Sequence, residues 1–493
     1  MSQRKSQKEA RHSRTVQRRK AKKDRKDQKV SRPQRQRNKQ HANKAMKNFF
    51  GDEDIFAKFR FHGNISWRAT DVARMAVLFS WSEKQFVTDA FTETVKRTKQ
   101  LNAQITHTTY QGFMGALTHY DHIFIPTLIS QLQQKMMNIG GEFAEESGFV
   151  PIAFDGSRNS APRTPSNEQE LCSAKSKKKA AQSLFGVPDS RPQAWITLMW
   201  HMGFRLPWDW RLGPSDSSER GHVREMLKEG YFPKNTLFCG DAGFVGYDFW
   251  RSMVDLGHDF MVRVGSNITL IGETFDYQEL EGGEVLCWPK NKQGQHPPLR
   301  LRLVQVTIGS ADVYLLTSVL SSTQLSASSM VKLYKMRWGI EIEFRGLKQT
   351  LNGENLCCRT AARVYTELNW SILSMAIAEL LALTEQLALT EQLAKPDHRS
   401  GGYTPKDRSL ANTMRAIYDC LDELREFVEP EADLFHRLAE AVTDGYKRKR
   451  SKKARFTPKQ SEKKKKKIKP PEVRPMERAE QEKLKNIRAK AAA

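Results

Sequence analysis

The sequence predicts an α/β fold, a sheet flanked by helices, with a helical region before it and a β-rich insertion within it. The first indication is a pair of short apolar runs, GFVPIAFDGSR at 148–158 and TLFCGDAGF at 236–244, each carrying an acidic residue followed by a turn sequence. The second is the alternation of LRLRLVQVTI at 299–308, which is typical of half-buried antiparallel strands. The third is helical sequence on both sides of these runs. With 493 residues, 39% of them hydrophobic, the chain can build two or three domains.

The positive charge is concentrated at the two ends of the chain. Residues 1–50 contain 19 Lys and Arg against 3 acidic residues, a net of +16, and residues 446–493 contain 20 against 5, a net of +15. Because the whole chain carries +25, residues 51–445 carry −6. Segments this polar are predicted to be disordered, and we expect them to bind a nucleic acid in a salt-sensitive, sequence-independent way. A solubilising tail, or a contact with acidic membranes or ribosomes, is the alternative.

Helical periodicity dominates the region that follows the basic N-terminal arm. Residues 82–101 and 116–136 show helical spacing, and 64–140 lacks strand alternation. A helical N-terminal domain is therefore predicted, a candidate reader of DNA ends.

The elements between the two acidic runs and after them follow in order. Residues 157–193 contain Pro, Ser and the run KSKKK, which predicts an excursion between strands. The segment from Ala194 to Pro214 predicts a hairpin, and a Ser-capped helix closed by Gly230 follows. Residues 246–257 predict a helix and 259–267 a strand. The predicted divisions are a disordered basic arm (1–50), the helical domain (51–145), a core (146–267), a β-rich insertion (268–325), the rest of the core with C-terminal helices (326–445) and a disordered basic tail (446–493).

Helical sequence returns near residue 328 and includes YKMRWGIEIEFRGLKQTL, which begins at Tyr334. At about 100° per residue, Arg337 lies near about 300°, Glu341 near about 340° and Lys348 near about 320° from Tyr334, so the four share one stripe. Glu343 lies near about 180°, on the opposite side. A solvated face with spaced ion pairs is the structural alternative.

Three carboxylates are candidates for a common site. Asp155 and Asp241 each follow a predicted buried strand, and Glu341 lies on a helix that would cover the sheet. Taken alone, each aspartate is an ordinary turn residue. Open α/β sheets gather their sites at the carboxyl ends of strands, so the three could converge. Such carboxylates repel one another unless a cation lies between them, and oxygen-only ligands favour Mg²⁺ or Mn²⁺. Two such ions promote phosphoryl displacement.

The spacing Tyr334, two residues, Arg337, three residues, Glu341, six residues, Lys348 resembles the YREK signature of the insertion-sequence-four family of DDE transposases. FDGS around Asp155 and DAGF around Asp241 resemble that family's two aspartate motifs, in the same order. The resemblance covers residues 140–395.

This resemblance implies a ribonuclease H-like mixed sheet flanked by helices, with the β-rich insertion before the glutamate helix. It implies catalytic, metal-binding acids at Asp155, Asp241 and Glu341, which would hold two Mg²⁺ or Mn²⁺ ions. It also implies a bound transposon end beside Tyr334, Arg337 and Lys348. The expected activity is cut-and-paste transposition: hydrolysis at the element's ends and strand transfer to target DNA, by a homodimer in a synaptic complex with double-stranded DNA.

Other function classes stay open at this stage or are disfavoured. A DNA-binding protein derived from a transposase, without catalysis, and a ribonuclease H-like nuclease are the alternatives. Six cysteines without a CxxC pair disfavour a disulfide scaffold and a structural zinc site. The most apolar helix, near residues 371–394, carries three glutamates and is not expected to span a membrane. With no apolar segment after the basic N-terminus, we expect a cytoplasmic, nucleoid-associated protein.

Overall fold

A computed structural model describes residues 32–51, 55–63, 67–84, 86–101, 103–182, 190–272, 281–293, 295–309, 311–351, 353–393, 403–421, 434–443 and 469–492. Two compact units emerge among them. The helical unit contains residues up to 135 together with 346–353 and 366–443. The sheet unit contains 136–345, 354–365 and the C-terminal segment after 443.

The helices are α1 (Arg32–Phe50), α2 (Ala69–Ser80), α3 (Val87–Gln100), α4 (Tyr110–Ile139), α5 (Pro165–Leu171), α6 (Ala174–Ala181), α7 (Glu219–Glu229), α8 (Tyr247–Asp255), α9 (Ala327–Arg337), α10 (Gly339–Gln349), α11 (Ala361–Leu393), α12 (Leu410–Leu421), α13 (Leu434–Ala439) and α14 (Arg478–Ala492). The strands are β1 (Val150–Ser160), β2 (Gln193–His201), β3 (Leu206–Pro214), β4 (Thr236–Gly240), β5 (Asp259–Val264), β6 (Thr269–Ile271), β7 (Gly283–Cys287), β8 (Leu299–Ile308), β9 (Ala311–Thr317) and β10 (Glu472–Arg474).

The helical unit is built around apolar helix faces. Phe113 and Phe124 of α4 are fully buried, and the Trp81 indole donates a hydrogen bond of 3.0 Å to the Ser374 carbonyl. One described segment, Ala361–Gln392, is long and apolar enough to cross a membrane by length and composition alone. The most apolar window of this helix is 72% buried inside the protein. A mostly buried core helix of a soluble protein meets the same criteria of length and composition.

The prediction of disorder over residues 1–50 is wrong for α1. Residues 1–31 lie outside the described residues, but Arg32–Phe50 is helical. Its apolar residues recur at helical spacing and are buried, namely Ala42, Ala45, Met46, Phe49 and Phe50. Net charge averaged over fifty residues concealed this short apolar face, which gains enough burial to stay ordered.

The sheet unit contains one ten-stranded mixed sheet, in the order β10-β6-β7-β8-β9-β5-β4-β1-β2-β3. Strands β1, β2 and β3 form an antiparallel meander, and β1, β4 and β5 are parallel. The fold class of a mixed α/β sheet with helices is confirmed. The predicted hairpin is present as β2 and β3, and the Ser218 hydroxyl caps α7 by accepting a hydrogen bond of 3.1 Å from the Gly221 amide.

The strands of the predicted β-rich insertion belong to the same sheet as the core strands. Strand β9 pairs with β5, with Leu316 opposite Val262. Strand β10 extends the sheet further by pairing with β6, with Val473 opposite Leu270. Disorder over 446–493 is therefore wrong for 469–492, where the Arg474 guanidinium also pairs with the Glu480 carboxylate at 2.7 Å. Residues 444–468 lie outside the described residues.

Two local predictions need correction. Strand β1 does not end at Asp155 but continues to Ser160, so the excursion begins later than predicted and contains α5 and α6. The helix predicted from Tyr334 is interrupted at Trp338, which separates α9 from α10. Gly339 follows the interruption, and its bare Cα packs against the Trp200 ring: a Cβ there would lie 2.7 Å from Cζ3 of Trp200. Gly at this position therefore lets the start of α10 approach the sheet closely.

Candidate active site

The register of two parallel strands places Asp155 and Asp241 side by side. Ala153 of β1 is opposite Cys239 of β4, so two residues further along each strand Asp155 is level with Asp241. Strand β4 ends at Gly240, while β1 continues. Since neighbouring strands are about 4.8 Å apart, the two carboxylates lie close to each other at the point where β4 ends and β1 continues.

Backbone amides orient both aspartates. The Gly156 amide donates to Oδ1 of Asp155 at 2.8 Å. The Gly243 amide donates to Oδ1 of Asp241 at 2.7 Å, which makes Asp241 the cap of a 3₁₀ turn at Ala242–Phe244. These bonds use one oxygen of each carboxylate, so the other oxygen can take a further partner.

The surroundings of Asp155 shift its pKa in both directions. Burial raises the pKa of Asp155, and the charges of Asp241 and Glu341 raise it further. The Gly156 amide and the Arg337 guanidinium oppose this increase by lowering the same pKa. Glu341 lies in the first turn of α10, with 42% of its side chain exposed.

Arg337 lies between two of these acids. Its Nη1 is 3.8 Å from Oδ2 of Asp155, and its Nη2 is 4.0 Å from Oε1 of Glu341. Although the side chain is only 5% exposed, neither Nε nor Nη1 makes a hydrogen bond within the described part of the chain. An unused N–H donor of a guanidinium is suited to an oxygen of an anion such as phosphate.

The other residues of the predicted stripe have different surroundings. Tyr334 is buried, and its ring centre is 5.6 Å from the Arg337 guanidinium carbon. Lys348 is half-buried in the last turn of α10 and belongs to the helical unit, so its position beside the acids stays a prediction. Glu343 is buried, in contrast to the half-exposed Glu341.

Two residues near the acids were not predicted. Glu219 begins α7, and its carboxylate contacts the position that a Cβ on Gly156 would occupy. Trp338 lies between α9 and α10 with 55% exposure, and its ring centre is 6.0 Å from the Arg337 guanidinium carbon. The sequence signal for Glu219 is weak, because an acid in a first helical turn is common. The sequence carries no signal for the exposure of Trp338, because the turn between α9 and α10 appears only in the structure.

Three histidines of the sheet unit, His201, His222 and His258, make packing contacts and hydrogen bonds away from the acids. Burial lowers the pKa of His201 to about 3, and its Nδ1 accepts a hydrogen bond of 3.1 Å from the Phe204 amide. His222 is 3.0 Å from the Thr197 hydroxyl, and His258 contacts the Phe238 ring edge-on. None of these contacts involves the acids.

The donor chemistry of the acids fits a hard divalent cation, since the candidates are all carboxylates held near one another against their mutual repulsion. As the side chains are placed, however, no group of three or more His, Cys, Asp or Glu among the described residues is arranged to hold a metal ion. The Arg337 guanidinium is the cation that lies between Asp155 and Glu341 in this arrangement.

Comparison with known proteins gives one family. Residues 151–377 match the transposase DDE domain. The matched segment contains Asp155, Asp241 and Glu341 and is somewhat less than half of the chain. No curated protein matches the sequence.

A solved structure is also similar over most of its length. It is a piggyBac transposase in a synaptic complex with hairpin DNA, determined by cryo-electron microscopy. The alignment covers 85% of this chain and 88% of that one, with 14% sequence identity and a TM-score of 0.36. A TM-score this low does not by itself establish a common fold.

Proposed function

We propose that the protein is a DNA transposase that cuts phosphodiester bonds at the ends of its element and joins the freed ends to target DNA. The proposal is carried by the position of Arg337 within 4.0 Å of both Asp155 and Glu341, with Asp241 level with Asp155, inside a segment that matches the transposase DDE domain. A protein that only binds DNA gains nothing from three carboxylates beside phosphate, because the charges repel.

Asp155, Asp241 and Glu341 would hold two Mg²⁺ or Mn²⁺ ions. Bound there, the ions would activate the attacking oxygen and stabilise the leaving one. The two aspartates are preorganised for this role by the amides of Gly156 and Gly243, which fix one oxygen of each.

Arg337 would bind a phosphate oxygen next to the scissile bond. The unused Nε and Nη1 of Arg337 supply the donors. The positive charge of the guanidinium, beside two acids, offsets their repulsion of the phosphate. The Tyr334 ring supports the guanidinium, and Lys348 is proposed to contact the DNA backbone further along. The exposed Trp338 would stack on a base that is not paired at the DNA end.

The basic regions would hold the DNA without reading its sequence. Helix α6 contributes an exposed run of lysines, Lys175, Lys178 and Lys179, and the arms contribute most of the net charge. Binding through so many cations should weaken steeply as salt rises. A ribonuclease H-like core, a homodimeric synaptic complex and a cytoplasmic location with the nucleoid belong to the same proposal.

The test uses purified full-length protein, Mg²⁺ and DNA carrying the repeats that flank its own locus. We expect breaks at the repeat boundaries, followed by joining to target DNA. Asp241→Asn should bind the DNA normally but lose cleavage by at least about 10³-fold, since it removes a charged ligand of the reaction centre. Asp312→Asn, an exposed aspartate on β9, is the matched control and should cleave normally.

Robust cleavage by Asp241→Asn would refute the assignment of the acids. Binding without breaks by the wild-type protein would favour a transposase-derived DNA-binding protein. Free ends that never join target DNA would favour a nuclease.

A further inference from the structure

We propose that a basic track along one edge of the sheet binds double-stranded DNA on the outer side of the scissile bond, the side away from the element. The track consists of Arg220, Arg158 and two lysines of α6, Lys175 and Lys178. The inference rests on the proposed function, which it deepens by assigning one stretch of the substrate to one surface. That stretch is the flanking DNA before cleavage and the target DNA at the joining step.

Two arginines begin the track beside the aspartates. Arg220 lies next to the loop that follows β4, where its Nη1 donates a hydrogen bond of 2.9 Å to the Val245 carbonyl. Arg158 lies on the part of β1 that continues past the end of β4, and its guanidinium carbon is 4.4 Å from the centre of the Trp195 ring. Both arginines are exposed. Stacking on Trp195 orients the Arg158 guanidinium while its donors face solvent, an arrangement suited to a phosphate.

Helix α6 continues the track beyond β3. The Ala174 amide donates a hydrogen bond of 2.7 Å to Oδ2 of Asp216, which follows the end of β3. Ser176 is buried, whereas Lys175 and Lys178 are exposed. Because these two lysines are three residues apart, they lie on the same side of the helix. The helix therefore presents two adjacent ammonium groups to solvent at this edge.

The track is long enough to follow a DNA backbone. The strands at this end of the sheet are β4, β1, β2 and β3 in that order. Neighbouring strands are about 4.8 Å apart, so β4 and β3 are separated by about 14 Å. A duplex rises about 3.4 Å per base pair, so the track spans about four base pairs. Its positive groups can therefore meet several successive phosphates of one duplex.

Three acids beside the track do not neutralise it. Asp216 accepts the Ala174 amide, and Glu168 pairs with Arg163 at 2.9 Å. Burial raises the pKa of Glu219 to about 7, and the charges of the two aspartates add to this increase. Within the described part of the chain, none of the three acids forms an ion pair with a residue of the track. Its cations are therefore available to an anion from outside the chain.

The position of the track decides which part of the DNA it binds. Arg337 reaches Asp155 at 3.8 Å, so α9 and α10 cover the face of β1 to which the Asp155 side chain points. Side chains alternate along a strand, so Arg158 projects from the opposite face. The element's end is proposed to lie beside Trp338, between α9 and α10. A duplex that passes the aspartates from there crosses the edge of the sheet, and its part beyond the scissile bond reaches the track.

The test compares the binding of two DNA duplexes to the full-length protein without divalent cations, so that the DNA stays intact. Both carry the repeat from the end of the protein's own element. One stops at the repeat boundary, and the other continues for about ten base pairs of flanking DNA, more than the track spans. Fluorescence anisotropy at several salt concentrations measures affinity and its salt dependence. The wild type should bind the longer duplex more tightly and with a steeper salt dependence.

Lys175→Gln/Lys178→Gln should remove most of this difference. For the longer duplex, the slope of log affinity against log salt should fall by about 2, while the shorter duplex is bound as by the wild type. Arg158→Gln should lower the same slope by about 1. The matched control is Lys228→Gln/Lys234→Gln, which removes two exposed lysines at the opposite edge, where α7 ends and β4 begins. It should bind both duplexes normally, and thermal unfolding confirms that every variant is folded.

Strand transfer by precut ends in Mg²⁺ distinguishes the two sources of the DNA. Weaker binding of the longer duplex by Lys175→Gln/Lys178→Gln shows that the track holds the flank. Joining of precut ends to target DNA about tenfold more slowly than by the control shows that it holds the target. Wild-type behaviour of this variant in both assays would refute the inference. Cleavage at the repeat boundaries by the wild type tests the proposed function separately, so the track can fail while the transposase assignment stands.

Discussion

Gly339→Ala tests whether the contact between α10 and the sheet positions Glu341. The added Cβ would lie 2.7 Å from Cζ3 of Trp200 and 3.0 Å from Nη1 of Arg205, and would collide with Cη2 of the same indole. Ordinary contact begins near 3.4 Å, so helix and ring must separate by at least about 0.7 Å. Trp200 is fully buried and cannot swing away, which leaves the helix to move.

The expected stability change is the difference of two effects. Overpacking of this kind costs about 1–3 kcal/mol. Replacing Gly by Ala in a helix returns up to about 1 kcal/mol, leaving a net loss of about 0–3 kcal/mol. Because Glu341 is two residues along α10, a shift approaching 1 Å should also reduce cleavage by about 10- to 100-fold.

Thermal unfolding and a single-turnover cleavage assay measure the two effects separately. Gly115→Ala is the matched control, since it lies within helix α4 with nothing near its Cβ position, and should be neutral or slightly stabilising with normal cleavage. If Gly339→Ala unfolds and cleaves like the wild type, the contact with Trp200 does not position Glu341.

Three further predictions concern charge and exposed surface. In metal-free buffer the free energy of unfolding should fall as pH rises from about 4.5 to about 7, because folded Glu219 keeps a proton that the unfolded chain releases. In denaturant titrations at several pH values, Glu219→Gln should lack about 1–2 kcal/mol of this fall. The same pH dependence in the wild type and the variant would contradict this. The hydrogen bond from Arg474 lowers the pKa of Glu480 to about 2, so the stabilisation from this pair is full above about pH 4.5 and is lost as pH falls towards 2. Glu480→Gln should speed amide hydrogen exchange in β10 at pH 7, and unchanged exchange would show that the pair does not hold β10 in place. In a fluorescence titration, Trp338→Ala should weaken binding of the element's end by about 1–3 kcal/mol without changing the stability of the protein. Tyr231, 63% exposed in the same unit, is the control: Tyr231→Ala should change neither the affinity nor the stability. Equal affinities of the two variants would exclude stacking by Trp338.

Most elements of the sheet unit could be predicted from local sequence. Ser218 and Gly230 bound α7 as capping chemistry requires, and the alternation at Leu299–Ile308 is a strand. The ordered parts of the two ends could not be predicted in this way. Helix α1 is ordered by burial of Phe49 and Phe50, a long-range effect that average charge does not reveal.

The candidate site was also predicted only in part from the sequence. The acids Asp155, Asp241 and Glu341 could be selected from strand ends and helical spacing. In the structure Asp155 is level with Asp241, and Arg337 lies within 4.0 Å of both Asp155 and Glu341. Their catalytic role stays a prediction, as does the role of Lys348. The predicted stripe assumes one uninterrupted helix, whereas the structure has a turn at Trp338 between α9 and α10.

Sequence by itself determined the chemistry available to this protein: which residues carry carboxylates and guanidinium groups, where strands and helices begin, and where the positive charge is concentrated. Only the tertiary structure decided which groups lie next to one another. It set Asp155 level with Asp241 through the register of β1 and β4, buried Arg337 beside them, and brought Glu219 against Gly156. The physical reason is that backbone propensity and side-chain period act over a few residues, whereas register, burial and charge coupling depend on segments far apart in the chain.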